Sequence, residues 1–254
     1  MKIAFNTANL VARATDYKFS LSEWGRQDQL TRQRTDEREF AAICSEIAGT
    51  GFTAVEIWIA HLDPAQLTQA RATTYRKILA DHGLTAIGIA GALNNAGRHV
   101  CELMQIDICN GGMWNDDRAE VQHNLETSPY FFNFENHPEK SAAEIRERIT
   151  GMGPKAGIAL DTGWLGTQGV DAPTAVRELG SLIRHVHLKD VRQHGGHDTC
   201  PLGEGVVNIA ATVAALKAIG YSGWYSWEDE PEDRNPFDIA GEMLQYIGKL
   251  VKPR

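Results

Sequence analysis

The chain predicts a closed (β/α)8 barrel. Apolar runs of strand length alternate with segments of helical period along the whole sequence, no linker or low-complexity tract separates two halves, and 254 residues suffice for one such barrel. A doubly wound sheet would share the alternation but would not need eight strands. The expected unit is therefore a single domain spanning 1–254.

Lys2 to Asn9 reads as the first strand, and 11–33 is polar, irregular and carries Trp24. A connection of that length is usually a lid or binding loop. Phe40, Ile43 and Ile47 fall at helical spacing behind Asp36 and Glu37, and Gly49 and Gly51 end that helix. Ala54 to Ile59 is the second strand, with Trp58 and His61 near its carboxyl end. Asp63 and Pro64 signal a helix that runs to His82 and stops at Gly83, and Thr85 to Ala90 is the third strand. A short helix near Gly97 to Leu103, a strand at Gln105 to Cys109, an NGGMW turn and a polar helix from Asp116 to about Glu126 follow.

The stretch YFFNFENHP drives Tyr130, Phe131, Phe132 and Phe134 into one run with no solvated face, as in a strand covered on both sides. It ends in Glu135, Asn136 and His137 before Pro138. Ser141 with Glu144 forms a capping box for a helix to about Ile149, and Gly157 to Asp161 is the sixth strand. Asp171 ahead of Pro173 opens another helix, His185 to Leu188 is a strand, and Asn208 to Ile219 is a helix closed by Gly220. Gly223 to Glu228 is the eighth strand, covered by a helix from Asp238 to about Leu250.

A net charge of −8 repels phosphate backbones, so nucleic acid is not an expected partner. The opening MKIAFNTANL is too short and polar for a secretory signal, and no apolar run reaches membrane length. Cys44, Cys101, Cys109 and Cys200 show no CxxC pairing. A cytoplasmic protein with reduced thiols is expected, and a homo-oligomer is compatible with these totals.

Chemistry concentrates at four successive strand ends: Glu135 in FNFENHP, Asp161 in GIALDTGW, His187 in RHVHLKD and Glu228 in WYSWEDEP. Neighbouring strand ends converge at a barrel mouth, so ligands distant in sequence meet at one ion. Three carboxylates and one imidazole suit Mn²⁺ first, with Mg²⁺, Co²⁺ or Zn²⁺ as alternatives, and no organic cofactor is needed. Each residue also has an ordinary use. Asp161 can open an Asx turn, His187 can be a hydrogen-bonded core histidine beside the equally placed His185, and Glu228 can belong to a solvated acidic turn.

In this order and with the contexts ENHP, LDTGW, HVHLKD and WEDE, these residues resemble the xylose isomerase-like TIM-barrel superfamily of sugar isomerases and epimerases. The group includes ketose 3-epimerases, inosose isomerase and dehydratase, and endonuclease IV. The likeness implies that Glu135, Asp161, His187 and Glu228 hold one divalent ion, and that Glu135 and Glu228 also exchange the substrate proton. Two positions depart from the ketose 3-epimerases, which carry histidine where this chain has Trp164 and arginine where it has Gln193. Endonuclease IV needs further histidines, and Trp164 replaces one of them.

Trp58, His61, His137 and Trp164 are candidates to wall a sugar pocket, and Lys189 to polarise a substrate oxygen or pair with a carboxylate. His194, His197 and Cys200 in HGGHDTC lack a fourth ligand and read as a flexible loop, and GEG at Gly203 to Gly205 reads as a turn. The expected function is a metal-dependent isomerase or epimerase of a keto sugar or related polyol ketone through an enediolate. A lyase or dehydratase on a keto sugar or 3-keto glycoside is the alternative. A silent sugar-binding barrel and an apurinic endonuclease are more distant.

Overall fold

Strands with no solvent face can only pair into a sheet covered on both sides, and the chain closes such a sheet on itself. The computed structural model describes residues 1–113 and 117–252. Its strands are β1 (Ile3–Asn6), β2 (Ala54–Trp58), β3 (Thr85–Ala90), β4 (Ile108–Gly111), β5 (Phe131–Glu135), β6 (Ala156–Asp161), β7 (Ile183–Leu188), β8 (Asp190–Val191), β9 (Thr199–Cys200) and β10 (Tyr225–Trp227). The closed barrel runs β1-β10-β7-β6-β5-β4-β3-β2, all parallel, and β8 with β9 forms a small antiparallel ribbon above it.

The helices are α1 (Trp24–Arg34), α2 (Glu37–Gly49), α3 (Gln69–Asp81), α4 (Asn95–Met104), α5 (Asp117–Thr127), α6 (Ala142–Ile149), α7 (Thr162–Thr167), α8 (Ala172–Leu179), α9 (Ile209–Ala218) and α10 (Ala240–Val251). Side-chain caps open most of them: Asp36, Thr68, Asn94, Ser141, Asp171 and Asn208 each accept from the amide three residues on. Each such cap contributes about 1 kcal/mol. Phe5 closes the β1–β10 seam, its ring 5.6 Å from Phe52 and 5.4 Å from Trp227 in edge contacts.

Several expectations need correction. Asp63 does not start α3; it lies at φ 26° in a turn, and Thr68 supplies the cap instead. The predicted strand at 105–109 begins later because Gln105 takes the left-handed conformation that ends α4. The segment 11–33 is not an irregular loop: short 3-10 turns lead into α1, and Arg13 holds it to α2 through Glu39 at 2.6 Å and Glu46 at 2.7 Å. The HGGHDTC stretch is the turn that leads from β8 into β9, together with β9 itself, and His194 Nδ1 lies 2.7 Å from the Gly166 carbonyl oxygen. Beneath it Asp190 accepts four backbone N–H bonds, from Val191, Gly203, Gly205 and Val207. The GEG turn thus wraps a buried carboxylate. The NGGMW turn and the expected helix start at Asp116 fall partly outside the described residues.

Candidate metal centre and its cavity

In the barrel register Asp161 lies beside His187, and Glu135 lies beside Ala159 on the same pair of edges. One donor atom each of Glu135, Asp161, His187 and Glu228 lies within 4.8 Å of the other three, and all four residues are buried. His187 Nδ1 is 2.8 Å from Glu135 Oε1 and 3.0 Å from Glu228 Oε2. Asp161 Oδ1 accepts from the Trp164 amide at 2.8 Å and so caps α7, where the sequence offered an Asx turn as an alternative use of Asp161. Its Oδ2 faces the cluster, 3.2 Å from Lys189 Nζ.

Amide side chains fix this arrangement. Asn136 donates to the Asp161 carbonyl at 3.0 Å and accepts from the Asp161 amide at 2.9 Å, locking the ends of β5 and β6 together. Asn6 donates to Glu228 Oε1 at 3.1 Å, while Asn9 donates to the Trp227 carbonyl and accepts from the Asp229 amide. Thr162 Oγ1 donates to the Lys189 carbonyl at 2.6 Å and accepts from the Lys189 amide at 2.9 Å. Gly163 is required beside it, because a Cβ there would lie 2.5 Å from Lys189 Cγ.

Carboxylates this close repel by about 4 kcal/mol per pair at an effective dielectric near 20. Burial lowers the His187 pKa, but the charges of Glu228, Glu56 and Glu135 outweigh it and hold the imidazole well above its ordinary value. Burial likewise opposes the Lys189 ammonium, and Asp161, Glu228 and Glu230 keep it charged. Burial pushes Asp161 up, whereas for Glu228 the cations His187 and Lys189 overcome burial and pull it down. Burial raises Glu230, 2.6 Å from Lys189 Nζ, to about 8. Asp161 Oδ2 and Glu228 Oε2 are buried oxygens whose partners are ion pairs, with Lys189 at 3.2 and 3.5 Å and, for Glu228, with His187 at 3.0 Å, none of hydrogen-bond geometry. Three carboxylates and an imidazole around such oxygens form a donor set that fits a hard or borderline divalent ion. Glu135, Asp161, His187 and Glu228 would hold it, and it would supply Lewis-acid polarisation of a carbonyl.

Sequence reading missed Glu56. His187 Nε2 lies 3.1 Å from both Glu56 carboxylate oxygens, and His185 Nε2 lies 2.8 Å from one of them. Asn110 donates to Glu56 at 2.7 Å, and Asn133 donates to Asn110 at 2.7 Å. Although burial raises the Glu56 pKa, His185 and His187 hold it well below the ordinary value. This chain of hydrogen bonds crosses the barrel interior from β5 to β7. The signal was present as a charge inside the apolar run AVEIWI and an amide inside FFNFE.

A cavity of about 270 Å³ opens over the cluster, lined at this end by Glu135, His137, Trp164, Lys189, Glu228 and Glu230. Asp161 and His187 sit behind those side chains. The structure thus brings Glu135, Asp161, His187 and Glu228 together and sets His137, Trp164, Lys189 and Trp58 on the cavity wall. His61 does not join them. The 3-10 turn after Trp58 carries it behind the wall, where it is 3.2 Å from Thr35 Oγ1 and 3.2 Å from the Thr7 carbonyl oxygen and borders a separate cavity with Arg13 and Thr31. His197, assigned above to a flexible loop, stacks on Trp164 at 3.7 Å with 16° between planes, and His137 lies against the same indole at 5.2 Å.

The chain is 35% identical over 112 residues to an inosose dehydratase of Geobacillus thermodenitrificans (strain NG80-2), a match that covers 37% of each chain. It therefore spans well under half the length of that relative. A D-allulose 3-epimerase from Methylomonas sp. superposes with a TM-score of 0.69 at 16% identity, covering 98% of this chain and 97% of the other. The probable 3-DHS dehydratase AsbF of petrobactin synthesis from Bacillus anthracis superposes with a TM-score of 0.67 at 15% identity, covering 98% and 99%. At such identities the likeness is one of fold. A family model described as xylose isomerase-like TIM barrel matches residues 116–250, over half of the chain and including all four candidate ligands, and with the closed parallel barrel this places the chain in the xylose isomerase-like TIM-barrel family.

Proposed function

We propose that this chain is a divalent-metal-dependent enzyme, Mn²⁺ being the best-suited ion, that removes the proton α to the carbonyl of a polyol ketone or keto sugar and then expels the oxygen substituent one carbon further on. The observation that carries this reading is the meeting of two proton-accepting carboxylates, Glu135 and Glu228, with the buried ammonium of Lys189 on one cavity wall. The acting unit is the whole barrel, 1–254, and the partner is a small molecule. Among the described residues no helix is long and apolar enough to cross a membrane. Four free, buried cysteines fit a reducing, cytoplasmic setting.

A bound divalent ion would supply the Lewis acid that makes the α C–H acidic. Glu228, whose Oε2 is held by ion pairs to His187 at 3.0 Å and Lys189 at 3.5 Å, takes that proton in this reading. The electron pair left at the carbon forms the new C=C bond as the neighbouring C–O bond breaks. Lys189 Nζ, between Asp161 and Glu230, offers an N–H to the departing oxygen, which leaves as water or an alcohol. His137 and Trp164 hold the substrate ring against this wall. The inosose dehydratase relative is named for a loss of water, which supports elimination as the outcome.

Epimerisation or isomerisation is the second reading. Glu135 Oε1 and Glu228 Oε2 flank the same His187 nitrogen, so two acids are available to remove and return a proton at one carbon. Incubating Mn²⁺-loaded protein in D₂O with ketoses, inososes and 3-keto glycosides separates the outcomes by NMR. Elimination gives an unsaturated or tautomerised product with loss of water or alcohol. A deuterated epimer with all substituents retained would instead select the second reading.

A further inference from the structure

The order of strands divides the barrel mouth into two unlike halves. The candidate ligands come from β5, β6, β7 and β10, which are consecutive around the barrel, and β1 to β4 form the rest. On that other side the described residues of the cavity wall carry no charge. Ala8 follows β1, Trp58 and Ala90 end β2 and β3, Gly111 ends β4, and Leu21 and Trp24 reach across from the segment that leads into α1. Trp24 and Trp58 stand 5.3 Å apart at 55°, and Phe19 backs Trp24 edge-on at 6.0 Å. Two bonds to Glu232, from the Phe19 amide to its carbonyl and from the Leu21 amide to its carboxylate, fasten this segment over the mouth.

A free ketose carries a hydroxyl on nearly every carbon and loses hydration wherever the wall offers no partner. Among the described residues, this half of the wall offers only two indole N–H groups and backbone as partners. We propose that the β1–β4 half of the mouth is a subsite for a planar, apolar substituent, an aryl group carried by the polyol ketone, seated against the Trp24–Trp58 pair. The small residues at Ala8, Ala90 and Gly111 leave the floor open to a ring, and the indoles supply edges and faces for it. This names the substrate class for the proposed elimination and rests on that reading, with the aryl group placed opposite the acid-bearing half.

Binding tests the subsite without turnover. Titrating the Mn²⁺-loaded protein with phenyl and methyl β-D-glucoside by calorimetry should show the phenyl compound binding on the order of 10-fold or more tighter. Trp24→Ala should remove that preference, and Trp24→Phe should keep most of it, with circular dichroism reporting the fold of each. Equal affinities, no phenyl glucoside binding up to its solubility limit, or a preference intact in Trp24→Ala would each overturn the subsite. If Trp24→Ala does not fold, Trp24→Leu takes its place under the same criteria. An aryl preference in a protein with no α-proton exchange would spare the subsite and remove the reaction, and the converse result would do the opposite.

Discussion

His187 faces carboxylates through both ring nitrogens: Nδ1 is 2.8 Å from Glu135, and Nε2 is 3.1 Å from Glu56. A histidine that ligates an ion through one nitrogen is oriented, and made more basic, by a carboxylate on the other. Glu56 thereby becomes a positioning residue for the centre. Glu56→Gln keeps the shape and removes the charge, and should weaken Mn²⁺ binding by about 10- to 100-fold. Isothermal titration with Mn²⁺ checks this, and unchanged affinity in a folded variant would make Glu56 a structural partner only.

Lys189 depends on the absence of a side chain at position 163. Gly163→Ala would put a methyl group 2.5 Å from Lys189 Cγ, and the ammonium must shift from its place between Asp161 and Glu230. A displacement near 1 Å at a reacting group costs on the order of 100-fold in rate. We expect kcat to fall by that order while Mn²⁺ affinity stays within a few-fold, read by steady-state kinetics and metal titration on one preparation.

Trp164 carries stacked His197 and has His137 against its ring at 5.2 Å, at the position where the family resemblance implies a hydrogen-bonding histidine in ketose 3-epimerases. In the proposed reaction its contribution to substrate is apolar contact. Trp164→Ala should raise KM by roughly 10- to 100-fold, the range for losing about 1.5–3 kcal/mol of burial. Efficient epimerisation of free fructose or tagatose by the unaltered protein would contradict this assignment.

His61 supplies a pH dependence away from the centre. Burial lowers its pKa from 6.5 to about 4, so on acidification the unfolded chain takes up the proton first. Its stabilising contribution is complete above pH 6.5 and is lost as the pH falls towards 4, an amount on the order of 3 kcal/mol. Urea denaturation at pH 7 and pH 4.5 should show a smaller loss for His61→Asn than for the unaltered protein. Equal losses would remove His61 as the source.

The barrel was legible because strands buried on both faces write continuous apolar runs, and the clustering of the four candidate ligands because each stands at or near the carboxyl end of such a run. Glu56, Asn110 and Asn133 lie within their strands, where a lone polar residue looks like a strand irregularity until the other strands bring its partners. The placement of His61 depended on one 3-10 turn, which sequence periodicity does not specify. Trp24 was visible as an aromatic in a polar stretch. Its pairing with Trp58 follows from Arg13 clamping that stretch onto α2, a contact with no local signature.

The central claim is that Glu135, Asp161, His187 and Glu228 form a metal centre for α-proton chemistry. Its most direct test measures metal content and α-deuterium incorporation on the same sample, with a substrate from the panel in D₂O, before chelation, after exhaustive chelation and after adding back Mn²⁺. The account predicts one ion per chain, exchange abolished by chelation and restored by Mn²⁺, and neither binding nor exchange recovered in Asp161→Ala. Full exchange in protein stripped of metal would contradict it.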